Sequence, residues 1–188
     1  GCSLCAAATP YTEAGNGQTC VALSCSMVPA SGSITIPAPV TSIAFSAFYS
    51  CSALTGSVIF ESGSELETIG DSAFREADLT SIIVPASVTS IEEDAFQYCY
   101  DLTSVIFESG SQLDSIGISA FYACSVLTSM TFESGSQLDR IGAQAFKQSG
   151  LTSIIIPASV TSIAAHAFHS CSDLTSVTFR CGASTLTM

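Results

Sequence analysis

Basic residues are scarce in this 188-residue chain: Arg75, Arg140, Lys147 and Arg180 stand against 16 acidic residues, for a formal charge of −12. Phosphate backbones are bound by releasing counterions to a basic stripe, so the deficit excludes a nucleic-acid partner and electrostatic docking on anionic lipid. Tryptophan is absent, and the lone asparagine, Asn16, begins Asn16-Gly17-Gln18, which is no N-glycosylation acceptor. No apolar run approaches the length that spans a bilayer, and no segment is laid out as a signal peptide. Phosphate loops, nucleophile elbows and metalloprotease motifs are missing too. No catalytic residue, cofactor or metal is therefore expected.

What the chain has in abundance is self-similarity. An Ala-Phe pair recurs six times, at Phe48, Phe74, Phe96, Phe121, Phe146 and Phe168, spaced 26, 22, 25, 25 and 22 residues apart. Each Phe lies five residues after an isoleucine and five or six before a leucine that opens a strand-like run. A period of this size marks a leucine-rich solenoid, in which one coil cannot bury its apolar face and neighbours must stack on it. Leu102, Val105 and Phe107 follow the pattern L-x-x-L-x-L and are expected to point inward, as are Leu79/Ile82/Val84, Leu127/Met130/Phe132, Leu151/Ile154/Ile156 and Leu174/Val177/Phe179. Leu54/Val58/Phe60 fits with Gly56 inserted, read as a bulge. Ser33–Ile36 supplies an earlier strand, giving seven in one parallel sheet about 30 Å long.

After each strand the chain turns by Pro-Ala-Ser-Val-Thr-Ser-Ile (85–91, 157–163) or by Glu-Ser-Gly-Ser-Gln-Leu-Asp (108–114, 133–139), with 61–67 a variant. The Ile-to-Phe segment is too short for a regular helix and reads as a helical or 3₁₀ turn. Leu79–Ile91 and Leu151–Ile163 differ only at Val84 against Ile156, as expected of a duplicated block of three coils. The organisation is a cysteine-containing cap over residues 1–31 and six to seven coils over 32–188.

The pattern L-T-S-[IV]-x-[FIV]-P-x-x-[VL]-x-x-I-x-x-x-A-F-x-x-C resembles the leucine-rich repeats of BspA-type surface proteins, over residues 33–179. The resemblance implies an extracellular or cell-surface protein that adheres to host or matrix proteins or to other cells. That family has no shared catalytic residues to carry over.

Of nine cysteines, Cys51, Cys99, Cys124 and Cys171 each fall three residues after a repeat Phe, where Ala77 and Ser149 stand in the other coils. A small packed side chain suits that place, so these four are read as buried thiols, with Cys99 and Cys124 close enough along the stack to permit a disulfide. Cys2, Cys5, Cys20 and Cys25 lie in a segment with little core, where disulfides serve better than zinc. Cys181 is left over as a further disulfide candidate.

His166 and His169 sit beside Cys171 and Asp173, but in variable positions of an ordinary repeat turn, and are not assigned chemistry. The glutamates of the Glu-Ser-Gly-Ser turns line one edge, one carboxylate per turn, too thin for calcium and read as solvated. Alternation along the strands puts Thr35, Ile59, Ile83, Ile106, Thr131, Ile155 and Thr178 on the outward face, flanked by serines. A continuous apolar strip of that kind marks a contact surface. At the far end, Met188 falls at the isoleucine position of a coil that the chain only half completes. A longer array, or a second subunit, is expected to cover an assembly end made of Val177, Phe179, Arg180, Cys181, Leu186 and Met188. The first reading is thus a non-enzymatic extracellular protein that associates with copies of itself, head to tail, into a filament or surface layer. The alternative is an adhesin or receptor module that binds a protein or glycan on the outward face.

Overall fold

The computed structural model describes residues 11–12, 19–20, 23–133 and 135–180. The chain is a stack of six repeating coils, each contributing one strand to a front sheet, one to a side sheet and one turn to a third column, with a seventh front strand after the sixth turn. Front-sheet strands Ile34–Ile36, Ser57–Phe60, Ser81–Val84, Ser104–Phe107 and Ser129–Thr131 pair in parallel, and Ser153–Ile156 pairs likewise with Ser176–Phe179. Between these two groups the link stretches: the Thr152 N–H reaches the Thr128 carbonyl at 3.5 Å, against 2.9 Å for Thr103 to Thr80. The register is in phase throughout, with Ser81 beside Ser104, Ile82 beside Val105 and Val84 beside Phe107. Gly56 sits at the bend just before Ser57, its N–H on the Gly32 carbonyl. A side chain there would collide with Ser33.

The side sheet went unread in the sequence. Six two-residue strands, Ser42–Ile43, Thr68–Ile69, Ser90–Ile91, Ser115–Ile116, Arg140–Ile141 and Ser162–Ile163, form a second parallel ladder. Two residues are too few to display alternation, so only the stacked isoleucines betray it.

The Ile-to-Phe segment is a helical turn of an unusual kind. The N–H groups of Ala47, Tyr49 and Cys51 bond three residues back, as in a 3₁₀ turn, while those of Ser46, Phe48 and Ser50 donate to Asp71, Ala73 and Arg75 of the next coil. To aim alternate N–H groups along the stack, the backbone must visit the left-handed region. It does so twice per coil at non-glycine residues, beginning with Ser46 (φ 54°) and Ser50 (φ 48°) and ending with His166 and Ser170. A continuous 3₁₀ helix is thereby ruled out.

Burial follows the L-x-x-L-x-L reading. Leu102, Val105 and Phe107 are buried, as are the triads beginning at Leu79, Leu127 and Leu151. Val177 and Phe179 keep the inward register yet are 39% and 62% exposed, and Phe60 is half-buried. Behind the sheet the six repeat phenylalanines form one stack, with neighbouring centroids 5.0–5.5 Å apart and planes within 9° of parallel. That spacing matches the rise between parallel strands, about 4.8 Å, so ring and backbone stack in step.

Candidate interaction surfaces

The front sheet exposes one column. Ile83 pairs with Ile106, Ile106 with Thr131, Thr35 with Ile59 and Ile155 with Thr178. Ile59, Ile83, Ile106 and Ile155 are 42–53% exposed, with Thr35, Thr131 and Thr178 exposed between and beyond them. Flanking serines tie neighbouring coils, Ser57 Oγ lying 3.0 Å from Ser81 Oγ and Ser33 Oγ accepting the Ser57 N–H. The result is a strip of β-branched side chains edged by hydroxyls on one side and by Pro and Glu positions on the other.

The cysteine column divides. Cys51 is not a buried thiol: it is disulfide-bonded to Cys25. Cys99, Cys124 and Cys171 are free, and their thiols donate to the carbonyls of Phe74, Phe96 and Phe146 in the coil before. The first coil has no such repeat beneath it, and Cys25 takes the position instead, joining the segment 23–28 to the core against which Leu23 and Val28 pack. Burial, and then the neighbouring Cys124, push the Cys99 thiol well up, and burial takes Cys124 from its ordinary 9.0 to about 12. Neither is poised as a nucleophile. Cys2, Cys5 and Cys181 lie outside the described residues, as do Leu186 and Met188, and nothing of the Cys20 side chain is described. Of the proposed assembly end, Val177, Phe179 and Arg180 are described and exposed.

The acidic edge does more than face water. Glu61 and Glu108 accept the N–H groups of Ala38 and Ala86, closing the Pro-Ala turn of the coil below at 3.1 Å. Arg180 occupies the matching place above Pro157-Ala158. His166 and His169 meet edge to face, with Ser170 Oγ 2.8 Å from His169 Nδ1, all exposed. Among the described residues no group of three metal-binding side chains comes together.

One cluster escaped the sequence reading. The residue after each repeat Phe is in turn Tyr49, Arg75, Gln97, Tyr122, Lys147 and His169, a column in which every member is large and able to hydrogen-bond. Stacking places Tyr98 5.3 Å from Tyr122 and 5.9 Å from Tyr100, centroid to centroid. The Arg75 guanidinium lies 5.6 Å over Tyr98 and the Lys147 ammonium 5.4 Å over Tyr122. Asp94 joins them through Arg75 Nη1 at 3.1 Å and Gln97 Nε2 at 2.6 Å. Burial lifts the Asp94 carboxyl above its usual range, with Arg75 pulling the other way. The signal that could have found this patch is the contrast between constant Ala-Phe and variable neighbours.

The family profile described as BspA type leucine-rich repeat region matches residues 30–136 and 110–187, with six copies. Among solved structures, a leucine-rich cell surface protein from Faecalibacterium prausnitzii is 33% identical with a TM-score of 0.68, over 80% of this chain and 39% of that one. The T. pallidum leucine-rich repeat protein is 26% identical (TM-score 0.57), over 78% of this chain and 63% of that one. The pneumococcal vaccine antigen PcpA is 27% identical (TM-score 0.51), over 79% of this chain and 29% of that one. The chain thus spans less than two thirds of each. No curated protein matches it.

Proposed function

Since this chain belongs to the BspA-type leucine-rich repeat family, we propose that it is a non-enzymatic extracellular interaction module that holds a partner protein on its front sheet. The observation that carries the reading is the column of half-exposed isoleucines, Ile59, Ile83, Ile106 and Ile155, running beside a column of serines on the front sheet. Apolar side chains in one flat strip gain by being covered together, with the serine hydroxyls along one side and Glu61, Glu108 and Glu133 along the other supplying a polar rim. An extracellular location is supported by the Cys25–Cys51 disulfide, which persists where the medium is oxidising, and by the cell-surface relative. Purified protein should bind at least one member of a panel of immobilised extracellular-matrix proteins, and the Ile83→Lys/Ile106→Lys double variant should lose that binding while keeping its melting temperature. Undiminished binding by the double variant would move the contact off this face.

Head-to-tail self-association, the first expectation from the sequence, draws no support from the family or from the solved relatives.

A further inference from the structure

We propose a second binding site, on the turn column, that takes a neutral oligosaccharide on the platform formed by Tyr98, Tyr100 and Tyr122. It is independent of the front-sheet reading. In a solenoid whose coils share one frame, identical positions build the frame and varied ones give one stretch of surface its own chemistry. The front sheet is monotonous, Ile or Thr two residues after a serine at every coil, and offers little residue-level discrimination. The turn column is the reverse. Four of the chain's five tyrosines (Tyr49, Tyr98, Tyr100 and Tyr122) and two of its four cations (Arg75 and Lys147) stand on it.

The chemistry of the patch selects the ligand. Tyr100 is 56% exposed and tilted 36° from half-buried Tyr98, and with Arg75 over Tyr98 and Lys147 over Tyr122 the open aromatic surface is chiefly that of Tyr100. Ring faces carry partial negative charge and attract polarised C–H groups, which line one side of a pyranose. The rim offers phenolic hydroxyls, Asp101 and the Lys147 ammonium, groups that pair with sugar hydroxyls. The Lys147 ammonium is held by Gln144 Oε1 at 3.4 Å.

Charge argues against an ionic ligand. Arg75 is already closed on Asp94 at 3.1 Å and lies 3.6 Å from Glu76, so its guanidinium offers little to an anion. A polyanion would meet Glu76, Glu93, Asp94 and Asp101 on a chain of net charge −12. A sugar brings no charge to be balanced. The platform is also fixed before binding: the Tyr98 N–H donates to the Tyr122 carbonyl at 2.9 Å, and the Arg75–Asp94–Gln97 chain holds the polar side. Little ordering remains to oppose a weak ligand. From Arg75 to Lys147 the patch crosses four coils, roughly 14 Å, the length of a short oligosaccharide.

The test uses the intact protein on an array of neutral gluco-, manno- and galacto-oligosaccharides, with sulfated and sialylated ones beside them, followed by calorimetry on the best neutral hit. Binding tighter than about 1 mM is expected, with a loss of about tenfold or more on Tyr100→Ala. Tyr100→Trp should retain binding and, as the chain's sole tryptophan, should shift its emission when the sugar is added. Ile83→Lys should leave sugar affinity unchanged. The proposal falls if no neutral sugar binds, if only acidic sugars do, or if Tyr100→Ala binds as well as the parent. It also falls if Tyr100→Ala impairs capture of a matrix protein while no sugar binds, because the platform is then a protein contact.

Discussion

Replacing Gln148 by glycine should make this protein more stable, although glycine usually weakens a fold. Gln148 has φ 59° and an exposed side chain, and its N–H donates 3.0 Å to the His169 carbonyl. Holding an L-residue in the left-handed region costs roughly 1–2 kcal/mol, which glycine does not incur. Against that, glycine frees the unfolded chain by about 0.4–1 kcal/mol. The difference favours the variant by about 0.5–1 kcal/mol, a rise in Tm of about 1–4 °C for a chain of this size. Two controls separate the backbone from the side chain. Gln148→Ala keeps the strain and should leave Tm unchanged, while Ser125→Gly, at an exposed position of ordinary φ, should lose about 0.4–1 kcal/mol. Ser46 (φ 54°) lies four coils away, roughly 19 Å, so Ser46→Gly should add to Gln148→Gly. Circular-dichroism melts and urea titrations of the parent, the four single variants and the Ser46→Gly/Gln148→Gly double decide it. A Gln148→Gly variant no more stable than Gln148→Ala would refute the account of the turn column as a strained ladder held by the stack.

The Cys25–Cys51 bridge closes a span of 26 residues, so Cys51→Ser should cost about 3.5 kcal/mol by the chain-entropy estimate. Reductant should lower the urea midpoint of the parent and leave that of the variant in place; an unmoved parent would mean the bridge contributes nothing. Cys124 keeps its proton to about pH 12 when folded, whereas an unfolded thiol loses it near 9. The unfolded state therefore binds fewer protons in that window, and stability present below pH 9 is lost as the pH climbs toward 12. Urea stability measured across that range should fall less steeply for Cys124→Ala, by up to about 1.4 kcal/mol per pH unit. Parallel slopes in the two proteins would contradict the burial argument.

Spacing along the chain exposed the inward triads, the stacked Ala-Phe column and, by alternation, the outward Ile and Thr positions. These are properties of a single coil, and each coil states them again. Features that depend on the neighbouring coil were out of reach. Cys51 stands in the same sequence position as Cys99 and Cys124, and differs because Cys25, not a repeat phenylalanine, lies beneath it. Glu108 resembles any turn glutamate until the stack sets Ala86 under its carboxylate, 22 residues back. Left-handed Ser, Glu, Asp, Tyr and Gln residues give no glycine to warn of them, because hydrogen bonds to the next coil impose that conformation.

Period and alternation are local and repeated six times, so the residues alone set the cross-section of this molecule: which side chains fill a coil and which face outward. What those outward residues become together depends on how the coils stack. Residues 22 to 26 apart meet because hydrogen-bonded register brings successive coils within one strand spacing. That register, invisible in any one repeat, makes a strip of Ile83 and Ile106 and a platform of Tyr98 and Tyr122.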